Sequence, residues 1–254
     1  MGQLKQPKPK AVFMDLAGTA IKTAFIDKIL MPYVKTNVKA FVEEKWADKE
    51  VNKCIDTMRK EAAKDESGPK IATAEAPAAE QQQSVIDYVT QCTDAKKESR
   101  GMARFRYLLW FDGYDKGKIT TPIYSDVGIQ VRKWKDMDIK IYVLSNTWVE
   151  GTKKFLSKTS MGDLNLMIDG HYDTTEGSLT AAETYTKLIG KIGQPAGEVL
   201  FLTKDPPQAK AAKDAGLNIV LVLTHRKAIE KLTEEEKAYP RIRSMNELEF
   251  ESTA

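Results

Sequence analysis

The sequence predicts an α/β fold, a doubly wound parallel sheet with a helical cap inserted after its first strand. Short apolar runs, each as long as a strand buried on both faces, alternate with helical spacing in the second half of the chain. The first such run, residues 11–15, is separated from the others by about a hundred residues of helical pattern, far more than a connecting loop needs. We therefore predict an α/β core over residues 1–24 and 127–254 and a helical cap over residues 25–126.

The predicted cap consists of amphipathic helices. Apolar residues recur every three or four positions from Ile21 to Val42, with Pro32 expected to break or kink the helix, and the same spacing continues to Met58. The stretch Glu66–Ser84 is rich in Ala, Pro and Gln and poor in bulky residues, which predicts a mobile loop. Helical spacing returns from Val85 to Phe111.

The second half of the chain alternates between the periodicities of helices and strands, which is typical of a parallel sheet with crossover helices. The predicted elements are a helix at Val127–Lys135, a strand at Ile139–Thr147, a helix at Val149–Leu156, a short strand at Leu164–Ile168, a helix at Ala181–Ile192, a strand at Val199–Thr203, a helix at Pro207–Ala215 and a strand at Ile219–Leu223.

Composition and charge exclude several classes of protein. The net charge of +3 over 254 residues is spread along the chain without a basic stripe, so no nucleic-acid partner is expected. No apolar run approaches the roughly 18 residues of a membrane span. Cys54 and Cys92 form no C-x-x-C pair, which argues against a zinc site or a disulfide framework. The segment Met1–Lys10 lacks an apolar signal core, and we expect a cytoplasmic protein.

Asp15 is the first candidate for chemistry. It ends the first apolar run and is followed by the turn residue Gly18. In open parallel sheets, ligands bind outside the carboxyl ends of the strands, so a carboxylate there can act as a nucleophile. The alternative interpretation is that Asp15 only caps the following turn.

Several motifs of the chain resemble known phosphohydrolases. The pattern Asp-x-x-Gly-Thr at Asp15–Thr19, with Ser145 at the end of the next strand of the core, resembles the haloacid dehalogenase superfamily. More specific motifs resemble the enolase-phosphatase family of methionine salvage, also called acireductone synthases, over nearly the whole chain. These motifs are Trp110–Gly117, Tyr124–Val127, Val131–Trp134, Asp169–Thr174, Glu183–Tyr185 and Phe201–Thr203.

This resemblance implies a monomeric, Mg²⁺-dependent cytosolic enzyme that enolises 2,3-diketo-5-methylthiopentyl 1-phosphate and then removes its phosphate. Asp15 takes the position of the aspartate that attacks phosphorus or holds the metal. Ser145 takes that of the hydroxyl that bonds the phosphoryl group, and Asn146 and Thr19 are expected to bind substrate beside it. Positioned cations and donors supply most of the catalysis of phosphoryl transfer.

Three chemical positions depart from the family pattern. Ala17 stands where the family has a metal-binding acid and Leu179 where it has the phosphate lysine, and Lys204 replaces the aspartate that completes the metal site. We therefore predict an inactive or strongly impaired homologue, a pseudo-phosphatase with a ligand-binding or regulatory role that needs no cofactor. We also hypothesise that Lys204 occupies the metal position and pairs with Asp15.

Substitute residues leave an alternative open, an active Mg²⁺-dependent acireductone synthase. Asp205 follows Lys204 and could reach a metal together with Asp15, although an acid ahead of two prolines more often caps a helix. Lys187 or Lys191 could replace the missing cation. The remaining candidate carboxylates are Asp173 and Glu176.

If the site is inactive, the sequence predicts a small phosphorylated or apolar metabolite as its ligand. An anionic group could be held by Ser145, Asn146 and Lys204. His171 is expected to make a hydrogen bond in the turn after Gly170 rather than to take part in chemistry. The aromatic residues expected to line an apolar pocket, or else to pack in the core, are Phe25, Trp110, Tyr114 and Trp148.

Overall fold

The computed structural model describes residues 3–251 and divides into two compact units. One unit runs to Thr23 and resumes at Thr120, and the other spans Ala24–Ile119. The predicted division differs slightly, since it assigned residue 24 to the α/β core and residues 120–126 to the helical cap. Residues 120–126 belong with the first unit because Thr121 bridges to Thr159 and Ile123 bridges to Ile21 within it.

The second unit is helical. It opens with a π-helical turn at Ile26–Leu30 that continues with helical backbone angles into the first α-helix, so Pro32 lies in a first turn and interrupts nothing. The closest helix pairs are the second with the fourth and the first with the third. The helices are α1 (Met31–Lys45), α2 (Lys49–Lys64), α3 (Ala78–Asp94) and α4 (Arg100–Asp115).

The predicted loop at Glu66–Ser84 is wrong in its second part, because α3 begins at Ala78. Alanine and glutamine are good helix formers, so a segment without bulky residues still forms a helix once it has a start signal. Here Gln81 supplies part of that signal, since its side-chain amide donates to the carbonyl oxygens of Ala74 and Ala76 at 2.9 and 2.7 Å.

The first unit is built on a parallel sheet of six strands, which confirms the predicted α/β fold. Its strand order is β4-β3-β2-β5-β6-β7, and β1 and β8 pair separately as a two-stranded parallel sheet. The strands are β1 (Leu4–Pro7), β2 (Ala11–Met14), β3 (Lys140–Leu144), β4 (Gly170–Tyr172), β5 (Val199–Thr203), β6 (Asn218–Val222), β7 (Arg241–Ile242) and β8 (Leu248–Glu251).

The β2 strand lies at the point where the strand order reverses. All four of its residues are buried, and Met14 pairs with Val143 of β3 on one side and Leu202 of β5 on the other. A crevice for ligands forms outside the carboxyl ends of strands at such a point. The loops that follow β2, β3 and β5 therefore determine what this edge can do.

Helices connect the strands of this unit. The predicted strand at Leu164–Ile168 is wrong: Leu164–Met167 is a 3₁₀ turn, begun by the Asp163 carboxylate accepting from Asn165 N at 2.9 Å, and the strand begins at Gly170. The helices are α5 (Ser125–Asp136), α6 (Val149–Ser157), α7 (Ala182–Ile192), α8 (Pro206–Asp214), α9 (Arg226–Glu230) and α10 (Glu234–Lys237).

Two further expectations from composition can be compared with the structure. Cys54 and Cys92 are both free thiols, and both are buried. Within residues 3–251, none of the helices combines the length and the apolar character that crossing a bilayer requires.

The contact of α2 with α4 predicts a glycine requirement at Gly101. A Cβ there would lie 2.8 Å from both the backbone nitrogen and the Cγ of Met58, so Gly101→Ala forces the helices apart. We expect a loss of about 1–3 kcal/mol in the free energy of unfolding, measured by urea denaturation. Gly190→Ala is the control, since no atom lies within 4 Å of a Cβ there, and alanine should stabilise α7 by up to about 1 kcal/mol. Equal effects of the two substitutions would contradict close packing at Gly101.

Candidate functional site

Three candidate side chains leave the sheet at one edge. Asp15 follows β2, Ser145 follows β3 and Lys204 follows β5. Because these strands are parallel and adjacent, the residue after each strand lies at the same end of the sheet. The topology thus brings an acid, a hydroxyl and an ammonium group to the crevice.

The Asp15 carboxylate is buried at this edge, with 6% of the residue exposed. Its Oδ1 accepts a hydrogen bond from Leu16 N at 2.7 Å, and its Oδ2 accepts one from Thr203 Oγ1 at 3.4 Å. Burial raises the pKa of Asp15 from 3.8 to about 7; the bond from Leu16 and the charge of Lys204 lower the pKa, but by less. Asp15 is therefore both a proton donor and an acceptor near neutral pH.

Lys204 lies against the turn at Gly18. A Cβ on Gly18 would overlap the Lys204 Cδ and lie 3.0 Å from its Nζ, and the φ of +86° at Gly18 also favours glycine. The ammonium lowers the pKa of Asp15, but the two side chains form neither a hydrogen bond nor an ion pair. The hypothesised pair is thus wrong, because the stem of Lys204 runs over the turn and leaves its charge exposed to water.

Thr203 and Asp205 surround Asp15 on the β5 side. The buried Thr203 hydroxyl donates to Asp15 and accepts from Asp205 N at 3.0 Å. One carboxylate oxygen of Asp205 accepts from Gln208 N at 3.2 Å, so Asp205 is the N-cap of α8. Its negative charge also raises the pKa of Asp15. Sequence reasoning missed Thr203 as a partner of Asp15, although its place at the end of β5 is a usable signal.

The residues predicted to bind substrate lie in different surroundings. Ser145 is buried, and its Oγ accepts from Thr147 N at 3.1 Å, which leaves its proton free to donate. Asn146 is exposed beside it. Thr19 lines a pocket whose lining includes neither Ser145 nor Asn146, and its buried hydroxyl has no partner. The structure therefore groups Ser145 with Asn146 and places Thr19 in another pocket.

Two of the substituted positions, Ala17 and Leu179, are apolar and pack against other parts of the first unit. Ala17 is half-buried in the turn after β2, where it bridges to Ile21. Leu179 is 3% exposed and belongs to the hydrophobic core of the sheet. The hydroxyl of Tyr185 donates to the Leu179 carbonyl oxygen at 2.8 Å, and burial together with the charge of Asp15 raises the pKa of Tyr185. Tyr185 is thus a second neighbour of Asp15 that sequence reasoning missed.

The other substitute residues are already engaged. Lys187 Nζ and Lys191 Nζ lie 2.9 and 2.6 Å from the Glu176 carboxylate, which lowers the pKa of that acid. The Asp173 carboxylate accepts from Val149 N at 2.8 Å, and from the amide and hydroxyl of Thr175 at 2.8 and 2.6 Å. These four side chains stabilise loops and helix ends. Asp205 is the substitute whose charge acts on Asp15, since it raises the pKa of that acid.

The donor set at this edge does not fit Mg²⁺. The ion prefers several hard anionic oxygens in octahedral geometry. Asp15 supplies one carboxylate whose oxygens already accept hydrogen bonds, Asp205 caps a helix, and Lys204 adds a positive charge. Across residues 3–251, no group of three or more His, Cys, Asp or Glu side chains is arranged to hold a metal ion.

The remaining candidates are one half-buried histidine and three buried aromatic residues. The predicted hydrogen bond of His171 is wrong: its buried Nδ1 has no partner, and burial lowers the pKa of its imidazole to about 4. Phe25, Trp110 and Tyr114 are buried in the helical unit, where Trp110 Nε1 donates to the Leu30 carbonyl oxygen at 2.9 Å. They thus serve the core of that unit.

The raised pKa of Asp15 predicts a pH-dependent stability. Between the unfolded pKa of 3.8 and the folded pKa of about 7, the folded chain holds a proton that the unfolded chain has lost. The free energy of unfolding should therefore fall as the pH rises through this window, by on the order of 3–4 kcal/mol, and stay level above it. Asp15→Asn should remove this slope in urea denaturation at pH 4–8. Asp214→Asn, at a surface ion pair with Lys210, should keep it, and parallel profiles for all three proteins would contradict the assignment.

The chain is similar to known proteins both in sequence and in fold. No family model matches the chain. Enolase-phosphatase E1 of Danio rerio is 29% identical over 98% of both chains, and that of Xenopus tropicalis is 29% identical over 91% of both. In fold, the UTR4 protein of Saccharomyces cerevisiae superposes with a TM-score of 0.72 at 18% identity, covering 93% of this chain and 98% of that one. An L-2-haloacid dehalogenase superposes with a TM-score of 0.53 at 15% identity, covering 94% and 96%. The chain is thus similar in sequence to enolase-phosphatases over nearly its whole length, and similar in fold to a haloacid dehalogenase.

Proposed function

We propose that this chain is a pseudo-phosphatase, which binds a phosphorylated metabolite at the carboxyl edge of its sheet without hydrolysing it. The observation that carries the proposal is the position of Lys204, whose stem lies against Gly18 directly after β5. An ammonium there replaces the carboxylate that the family resemblance implies for the metal site. The fold is retained while the charge at position 204 changes from negative to positive.

The electrostatics of Asp15 support a loss of chemistry. A carboxylate attacks phosphorus only when ionised, and with a pKa of about 7 Asp15 is protonated in about half of the molecules at neutral pH. Metal ions and cations carry the developing charge of phosphoryl transfer. Phosphate-monoester hydrolysis needs accelerations of up to ~10²¹, whereas one positioned acid or base supplies about 10²–10⁴. The groups that remain at this edge therefore fall far short.

The same groups suit binding of a phosphate group. Lys204 supplies a positive charge, Ser145 a hydroxyl proton and Asn146 a side-chain amide, all following strands of one edge. Protonated Asp15 adds a further hydrogen-bond donor. Binding of an anion should therefore be tighter at pH 6 than at pH 8, because ionised Asp15 repels it. We propose a monomer in the cytoplasm with this ligand class, and size-exclusion chromatography checks the oligomeric state.

A second candidate function is an active, Mg²⁺-dependent acireductone synthase that enolises and dephosphorylates 2,3-diketo-5-methylthiopentyl 1-phosphate. Asp205 favours it, since its charge reaches Asp15 and only one of its carboxylate oxygens caps α8. The names of the aligned relatives favour it as well. Activity through this route requires Asp205 to leave its cap and Lys204 to move away from Asp15.

The two candidates differ in phosphatase activity with Mg²⁺. The unmodified chain should show no turnover of the diketo phosphate, and Ala17→Glu with Lys204→Asp should restore Mg²⁺ binding measured by calorimetry, because two carboxylates then join Asp15. Adding Leu179→Lys should supply the phosphate cation. This third substitution places an ammonium in the core at a cost of several kcal/mol, so its thermal unfolding is measured in parallel.

Control variants separate the outcomes. Lys210→Asp makes the same change of charge on the exposed face of α8 and should restore nothing. Turnover by the unmodified chain that disappears in Asp205→Asn would overturn the pseudo-phosphatase and establish the second candidate. Metal binding by the unmodified chain as tight as that of the double variant would overturn the argument from Lys204.

A further inference from the structure

A second pocket opens at the carboxyl edge of the sheet, which we name the Thr19 pocket. It is lined by Thr19 after β2, by Thr224 and His225 after β6, by Arg243 after β7 and by the start of α5 at Tyr124–Asp126, and its volume is about 280 Å³. That volume is near the lower end for small-molecule sites and suits one small polar group.

The walls of the Thr19 pocket are joined by hydrogen bonds, so the pocket is formed without a ligand. The Asp126 carboxylate of α5 accepts from Ser244 Oγ and from Met245 N, each at 2.6 Å. Tyr124 OH lies 3.4 Å from Thr224 Oγ1, which connects α5 to the loop after β6. The carboxylate of Asp126 is thus bound to the wall of the pocket by two neutral donors, which fix its orientation.

Hydrogen-bond donors without acceptors remain among the residues that line the Thr19 pocket. The Thr19 hydroxyl is buried, with 1% of the residue exposed, and finds no hydrogen-bond partner among residues 3–251. Among residues 3–251, the Arg243 guanidinium makes no ion pair, and the first-turn amides of Ser125 and Asp126 donate to no side-chain cap, because the N-cap Tyr124 offers none. A buried hydroxyl without a partner costs about 1–3 kcal/mol, so it indicates a ligand atom.

We propose that the Thr19 pocket binds a phosphate group, either free phosphate or the phosphate of a small metabolite. Its oxygens accept from Thr19, from the guanidinium of Arg243 and from the amino terminus of α5, a twelve-residue helix whose dipole favours an anion. His225 and Tyr124 also line the pocket. The site is separate from the crevice of Asp15, Ser145 and Lys204, and it does not depend on the function proposed there.

Calorimetry of the full chain with inorganic phosphate tests the proposal, in a Lys204→Gln background that removes the cation of the Asp15 crevice. Arg243→Gln should weaken binding about 10- to 100-fold and Thr19→Val about 3- to 10-fold, as expected for a charged and a neutral hydrogen bond. Arg226→Gln is the matched control: Arg226 lies next to His225, pairs with Glu230 at the surface and is outside the lining, so its variant should bind like the background protein.

The source of the phosphate group is distinguished by a parallel titration with glycerol phosphate. Tighter binding of the ester indicates a metabolite, and tighter binding of inorganic phosphate indicates the free ion. Binding unchanged by both Arg243→Gln and Thr19→Val, or equally weakened by Arg226→Gln, would overturn the proposal. The exposed Arg243 can be replaced without disturbing the fold, so a failure of Thr19→Val to fold leaves the test intact.

Discussion

The burial of one carboxylate, that of Asp15, determines how this edge of the sheet behaves. The residue is held between β3 and β5 by parallel register, so its charge lies where water is largely excluded. Four neighbours shift its pKa. Leu16 N and Thr203 Oγ1 donate hydrogen bonds to the carboxylate and Lys204 attracts its ionised form, so these three lower the pKa, whereas the charge of Asp205 raises it. Burial therefore favours the protonated form of this acid and raises its pKa to about 7.

Much of the fold followed from periodicity. The strands at 11–15, 199–203 and 219–223 were predicted because continuous β-branched and apolar runs bounded by turn residues have few alternatives. The short strands β1, β7 and β8 were missed, because none of them is a continuous run of buried apolar residues. The error at Ala78 had another cause, since a helix rich in Ala and Gln has little amphipathic signal and depends on propensity and on the side chain of Gln81.

For the candidate site, the residues could be predicted from the sequence, but their contacts could not. Which strands end at the crevice follows from topology, so Asp15, Ser145 and Lys204 could be named from sequence. What each side chain touches depends on a few ångströms of loop geometry, which periodicity does not encode. For this reason the predicted pairing of Lys204 with Asp15 was wrong, and the pocket in which Thr19 lies was not foreseen. Tyr185 was missed because its hydrogen bond with Leu179 is made to a backbone oxygen, which the identity of residue 179 does not reveal.

The contact of Lys204 with Gly18 has a consequence for how the chain varies among related sequences. The fold makes two demands on the residue at position 18: it must adopt a left-handed backbone conformation, and it must leave room for the side chain of Lys204. Asparagine meets the first demand but not the second. Chains with a long side chain at position 204 should therefore keep glycine at position 18. A short side chain at position 204 removes only the second demand, because Thr23 Cγ2 would still lie 2.9 Å from a Cβ at position 18. The turn itself therefore requires glycine at this position as well as Lys204 does.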